Sequence, residues 1–146
     1  MIPRIGESIN AKREYLHRPG AYAILVRDGE VLLTHQAEPE PEYQLPGGGI
    51  DPGEAILPAL HREILEETGW RAGWLVRLGA FRRFTYMPDY DMWAEKVCQV
   101  YLGRPTIRLG PPLEQGHTAI WASPADAARM VENDGDRMFL RKTFAL

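Results

Sequence analysis

The chain has 146 residues, a hydrophobic fraction of 45% and a charged fraction of 25%, the balance of one ordinary globular domain long enough to bury a core. A net charge of -3 and a single cysteine weigh against a dedicated nucleic-acid binder, forbid an internal disulfide and offer no zinc-ligand spacing. The N-terminal "MIPRIGESINAKREYLHRPG" lacks the apolar run of a signal peptide, and no stretch approaches transmembrane length, so the expectation is a cytoplasmic protein with no membrane partner.

In chain order, residues 1–18 show no periodicity and are expected to form a partly ordered arm. "AYAILV" and "VLLTH" are apolar runs separated by Asp28-Gly29, a strong hairpin turn because both central positions need positive φ. They predict strands at about 21–27 and 30–36. "AEPEPEY", Ala37 to Tyr43, reads as a loop broken by two prolines. It is a surface connection or, in a sharper reading, a flap over a substrate pocket. "PGGGIDPGE" is a glycine-rich loop, and a helix follows from about 55 to 68, with Gly69 fit to end it. "WLVRLGAFRRFTY" predicts one or two strands, "MPDYD" a turn, and "AEKVCQVYLG" a strand that buries Cys98 as a structural thiol. "LGPPLEQG" is a loop and "TAIWA" a short strand. "SPADAARMVEND" is a helix with Ser123 as N-cap, Pro124 at its first position, Asp126 at the capping-box position and Gly135 as terminator. Short strands interleaved with two or three helices, without repeat or linker, predict a single α/β domain over residues 1–146.

The helix raises a physical question. Glu63, Glu66 and Glu67 fall at i, i+3 and i+4, a spacing at which like charges destabilise a helix. They span an arc of about 100°, beside an apolar stripe of Leu57, Leu60, Ile64 and Leu65. One reading is a solvated face, with Arg62 paired to Glu66. The glycine-rich loop favours another. It lets the backbone approach a ligand closely, and clustered carboxylates beside it suit a hard cation with oxygen ligands, Mg²⁺ or Mn²⁺. Such a cation commonly partners phosphate.

From Gly48 to Trp70 the stretch resembles the signature of the Nudix hydrolases (MutT-like), G-x5-E-x7-R-E-U-x-E-E-x-G-U. Gly48, Glu54, Arg62, Glu63, Ile64, Glu66, Glu67, Gly69 and Trp70 fill every fixed position. The resemblance implies a Nudix-type α/β/α sandwich with a mixed β-sheet and a loop–helix–loop metal site. It implies metal-dependent hydrolysis, with Mg²⁺ or Mn²⁺, of a nucleoside diphosphate linked to another group. It assigns Glu63, Glu66, Glu67 and the carbonyl of Gly47 to the metal, and Gly48, Glu54 and Arg62 to structural support. The base varies in the family; Glu66, Glu67, Glu95 and Glu114 are the catalytic candidates. His117 is more simply a structural or solvent-facing histidine. In "FRRFTYMPDYDMW", Arg82 or Arg83 can hold a phosphate and Tyr86, Tyr90 or Trp93 can stack on a base, or the same residues can alternate between core and solvent. Tyr86, sixteen residues past the box, resembles the branch acting on diadenosine polyphosphates. Gln36 departs from the coenzyme A branch motif. Family modules that bind a nucleotide without cleaving it usually lose box carboxylates, and all are present here. The expected partner is a small nucleotide diphosphate derivative rather than a nucleic acid, with monomer and homodimer both open.

Overall fold

The computed structural model describes residues 1–146. Strands β1 (Leu16–Arg27) and β2 (Glu30–Gln36) are joined by Asp28 and Gly29, at φ of 52° and 78°. Two short strands follow, β3 (Glu42–Gln44) and β4 (Gly47–Gly49), and then helix α1 (Ile56–Thr68). Strands β5 (Trp70–Met87) and β6 (Met92–Arg108) make a long hairpin through a 3₁₀ turn at Pro88–Tyr90. Strand β7 (His117–Ala122) and helices α2 (Pro124–Met130) and α3 (Asp134–Phe144) complete the chain.

The sheet runs β3-β2-β1-β6-β5, with β4 added beside β1 and β7 beside β2. It is mixed. Leu16–Leu25 pair in parallel with Ala94–Gly103, and the other pairings are antiparallel. Alternation along β1 divides the core into two layers. Ala21, Ala23 and Leu25 pack with Leu60 and Ile64 of α1. Ile24 and its neighbours Tyr22 and Val26 pack with Phe139 and Leu140 of α3 and Ala127 of α2. Helices therefore cover both faces of the sheet, as the expected α/β/α sandwich requires. No helix is long and apolar enough to cross a membrane.

Several local expectations change. Strand β1 begins at Leu16 rather than 21, because residues 16–20 pair with Ala94–Cys98, a partnership remote in sequence. The first residues lie along β5. Ile5 donates its N–H to the Arg82 carbonyl at 2.9 Å, and Arg82 returns one to Pro3 at 2.8 Å. Within the expected Ala37–Tyr43 loop, Glu42 and Tyr43 form part of β3 against Gln36 and His35. On α1, Leu57 is exposed and the buried stripe is Leu60, Ile64 and Glu67, so the apolar and acidic stripes overlap at Glu67. Ser123 caps α2 by accepting the Asp126 N–H at 3.1 Å. Gly135 does not end that helix. It lies in the first turn of α3, where Asn133 caps it by accepting the Gly135 N–H at 2.8 Å. A Cβ at Gly135 would stand 2.2 Å from the Phe81 ring, so close packing selects the glycine.

Asp136 is buried under α3 and accepts the Leu45 N–H at 3.3 Å. Burial pushes its carboxyl up from 3.8 to about 7; the Leu45 hydrogen bond and the Arg83 and Lys96 charges oppose this, while Glu42 adds to it. The folded state thus holds a proton that the unfolded chain has released. Below about pH 4 both states are protonated and the group contributes nothing; between about pH 4 and 7 it progressively lowers stability. The thermal midpoint of the wild type should therefore fall relative to Asp136→Asn as pH rises across that window. Parallel melting curves at closely spaced pH values check this, and a constant difference would contradict it.

Candidate functional site

The glycine loop brings backbone against α1 where side chains would not fit. Gly47 has φ of 147°, and a Cβ there would lie 2.1 Å from the Ala21 carbonyl oxygen. Its N–H donates to Glu67 Oε1 at 2.9 Å. A Cβ on Gly48 would lie 2.6 Å from the Glu63 carboxyl carbon. These two contacts set Glu63 and Glu67 against β4. Gly69 ends α1 at φ of 77°, and a Cβ there would meet the Gly110 carbonyl at 2.0 Å. The close approach lets the following loop dock on the helix end. The Glu66 carbonyl, an orphan acceptor of the last turn, takes the N–H groups of Leu113 at 2.8 Å and Glu114 at 2.9 Å.

That docking adds Glu114 to the helix carboxylates. Oxygens of Glu63, Glu66 and Glu114 lie within 4.8 Å of one another, as do ligand atoms of Glu67, Glu114 and His117. Glu114 belongs to both groups. Burial pushes the Glu67 carboxyl well above the ordinary carboxylate range, and Glu63, Glu114 and Glu66 push the same way, against the Gly47 hydrogen bond. Burial also raises Glu63, opposed by Arg62. The donor set of this oxygen-rich cluster would suit a divalent cation such as Mg²⁺ or Mn²⁺.

One cation of the chain is already present. Arg62 holds Glu54 with both arms of its fork, Nε to Oε2 at 2.8 Å and Nη2 to Oε1 at 2.9 Å. Its Nη1 donates to Glu63 at 3.0 Å and Glu66 at 3.3 Å. Glu54 also accepts the Asp51 N–H at 3.0 Å, and the Arg62 hydrogen bonds hold its carboxyl down to about 2. Arg62 thereby ties the loop to the helix and leaves the far sides of Glu63 and Glu66 free.

His117 gains weight from the structure. It is nearly buried, with Nδ1 2.9 Å from Thr34 Oγ1 and 3.7 Å from Glu67, and Nε2 3.7 Å from Glu114. The residue stands opposite Gln36 in the β2–β7 pairing, a neighbourhood that local sequence does not reveal. Glu95 is not brought to the cluster. It lies 3.4 Å from Arg82 and 3.5 Å from His17, on the strand face opposite Lys96. Arg82 also donates to the Ile2 carbonyl at 3.2 Å.

The other candidates divide by position. Tyr90 lines a cavity of about 210 Å³ that also holds Arg18, Tyr22, Glu63, Lys96 and Cys98, with the Arg18 guanidinium 4.9 Å from its ring centre. Tyr86 and Arg83 line a second cavity of about 560 Å³ between the Pro39–Glu42 segment and the β5–β6 turn. Tyr86 donates its hydroxyl to Asp91. Trp93 is engaged by the N-terminal arm: Arg13 lies 3.6 Å from its ring centre, and Tyr15 meets it edge-on at 6.3 Å.

A NUDIX domain profile matches residues 16–143. The chain belongs to the NUDIX family. Over 78 residues it is 37% identical to a Bacillus subtilis (strain 168) protein provisionally named an 8-oxo-dGTP diphosphatase, covering 53% of this chain and 52% of that one. Over 58 residues it is 43% identical to the RNA pyrophosphohydrolase of Helicobacter pylori (strain G27), covering 36% and 37%. The aligned regions thus span about half or less of these relatives' lengths. The crystal structure of a MutT NUDIX hydrolase from Burkholderia pseudomallei superposes with a TM-score of 0.67 at 25% identity, over 86% of this chain and 96% of that one.

Two outcomes are expected. Gly48→Ala should leave the fold intact, because the clashing atoms are the flexible end of Glu63, and should displace that carboxylate. Wild-type protein should then gain thermal stability from millimolar Mg²⁺ or Mn²⁺ and the variant markedly less; equal gains in both would contradict the placement. Trp93→Ala should lower the metal-free thermal midpoint by loosening the arm, whereas Tyr90→Ala, at a site 56% exposed, should leave it close to wild type. Melting curves of the two variants side by side decide this.

Proposed function

We propose that the chain is a divalent-metal-dependent hydrolase that cuts a phosphoric anhydride bond in a nucleoside diphosphate linked to another group. The observation that carries this reading is the convergence of Glu63, Glu66, Glu67 and Glu114, two of them raised by burial, around the loop Gly47–Gly49. Glu63, Glu66 and Glu67 would hold the ion, Mg²⁺ or Mn²⁺, with the Gly47 carbonyl beside them. Bound there, the ion supplies charge neutralisation for the diphosphate and for the charge that develops as its bond breaks.

The protein's own groups do the rest. Gly48 leaves room for the Glu63 carboxylate, and the Gly47 N–H fixes one oxygen of Glu67. Arg62 spaces Glu63 from Glu66 by donating to both. Glu114 reaches the cluster from a loop, and its side chain is 46% exposed. In this reading Glu114 takes a proton from an attacking water, with His117 Nε2 3.7 Å from its carboxylate. Glu67 is the alternative acceptor. Tyr90 and Arg18 border the cavity next to Glu63 and can hold the nucleoside. The names of the relatives, a diphosphatase and a pyrophosphohydrolase, agree with this reaction class.

The test is a screen of nucleotide diphosphate and triphosphate derivatives with Mg²⁺ and Mn²⁺, following phosphate release and product identity. Glu67→Gln should lower turnover by orders of magnitude. It should also keep or raise the metal-free thermal midpoint, since it removes a carboxylate from a crowded, buried site. Wild-type turnover in that variant, or no turnover of any nucleotide by the parent, would sink the reading.

A further inference from the structure

A second accumulation of like charge lies across the sheet from the acidic one. Arg83 of β5 and Lys96 of β6 are direct cross-strand partners. Like charges opposite each other on neighbouring strands are destabilising. Neither belongs to any of the chain's ion pairs. Arg82, one residue away, is paired with Glu95, so β5 uses one arginine for structure and leaves the next unmatched. Burial and the Arg83 charge lower the Lys96 amine from its ordinary range, against the opposing pull of Cys98, Glu42 and Asp136. Glu42 and Asp136 relieve the pair only in part, and neither forms an ion pair with Arg83 or Lys96. Asp136 is buried and spends a carboxyl oxygen on the Leu45 N–H, and Glu42 is part of the short β3.

Both cations face open space. Arg83 and Lys96 line the cavity of about 560 Å³, whose rim also carries Glu40, Glu42 and Asp89. Lys96 also lines the cavity of about 210 Å³ that contains Glu63. Lys96 and Met87 are common to the two, so Lys96 stands where they meet. A molecule that extends from the box carboxylates toward Arg83 passes its ammonium group.

We propose that Arg83 and Lys96 form an anion subsite that takes a phosphoryl group of the substrate lying beyond the diphosphate at the glutamates. This rests on the hydrolase reading for its position in a reaction, though not for its existence. It narrows the substrate class to compounds with three or more linked phosphoryl groups. An ion among Glu63, Glu66 and Glu67 answers the charge of a diphosphate; two further unmatched cations answer the charge of a longer chain. A guanidinium and an ammonium side by side supply the charge-assisted donors such a group needs.

Sodium tripolyphosphate in the absence of divalent ions tests the subsite without turnover. Titration calorimetry should show binding to the wild type, weakened ~10- to 100-fold by Lys96→Met and by Arg83→Met, the loss of a charge-assisted contact. Lys96→Arg should stay within several-fold of wild type. Methionine keeps the stem packing and removes a charge that burial already opposes, so Lys96→Met should melt at or above the wild-type temperature. Absence of binding to the wild type, or full affinity in both methionine variants, overturns the subsite. Loss of affinity in Lys96→Arg equal to that in Lys96→Met does so too, since it would mark a packing role. With substrates, Lys96→Met should lower kcat/KM for a nucleoside triphosphate and spare ADP-ribose; equal losses on both overturn the assignment to a further phosphoryl group. Tripolyphosphate binding through Lys96 in a chain that hydrolyses no nucleotide would overturn the hydrolase reading and leave the subsite standing.

Discussion

Mutual repulsion among the carboxylates of α1 is the constraint around which this structure is arranged. A helix does not gain from Glu63, Glu66 and Glu67 on one side, and a fold does not gain from burying Glu67 to 6% exposure. The surrounding chain supplies partial compensation from two directions. Arg62 comes from the helix itself and the Gly47 N–H from the loop before it. Neither cancels the charge, and the loop after β6 adds Glu114 to it. A protein built only for stability would replace such a cluster with apolar residues. The cluster thus holds negative potential beside the glycine loop at a cost in stability.

The sheet topology makes this placement possible. Because β1 is paired with β4 on one edge and β6 on the other, the glycine loop is anchored to the central strand rather than suspended from the surface. Alanines at 21 and 23 keep the α1 side of β1 shallow, so the helix sits close and its acidic edge falls beside Gly47–Gly49. The C-terminal end of α1 is closed by Gly69 against Gly110. Both ends of the acidic helix are therefore held by backbone contacts that no larger residue could make.

Legibility followed sequence distance. The box glutamates, the Arg62–Glu54 pair and the Asp28-Gly29 turn depend on neighbours a few residues away, and their spacing states them. Leu57 was misplaced because helical periodicity locates a stripe only to within its width, and here the buried stripe rotates toward Glu67. The start of β1, the placement of Glu95 and the weight of His117 all depend on pairings between β1 and β6 or β2 and β7, which no local pattern encodes. By residue type alone, Gly135 suits a helix end. The ring of Phe81 54 positions earlier in the chain decides its role instead. The aromatic run from Phe81 to Trp93 was ambiguous for a physical reason. Alternation sends Arg83 and Arg82 to opposite faces, and the two faces have different neighbours: a cavity on one side, Glu95 and the N-terminal arm on the other.

The two faces also explain how one strand pair can serve both stability and binding. On one side of β5 and β6 the charged groups have partners: Arg82 meets Glu95, Glu95 meets His17, and Arg77 donates to the Gln99 amide oxygen. On the other, Arg83 stands against Lys96 with no acid in contact. The same contrast appears on α1, where Arg62 satisfies Glu54 with two hydrogen bonds yet only partly satisfies Glu63 and Glu66. Matched charges sit where the chain holds itself together. A partly satisfied Glu63 and a Lys96 without an ion pair border one cavity. A cleft polarised in this way would favour a molecule that pairs a divalent cation with an extended anion, and the separation of the two charge clusters would orient it along one direction.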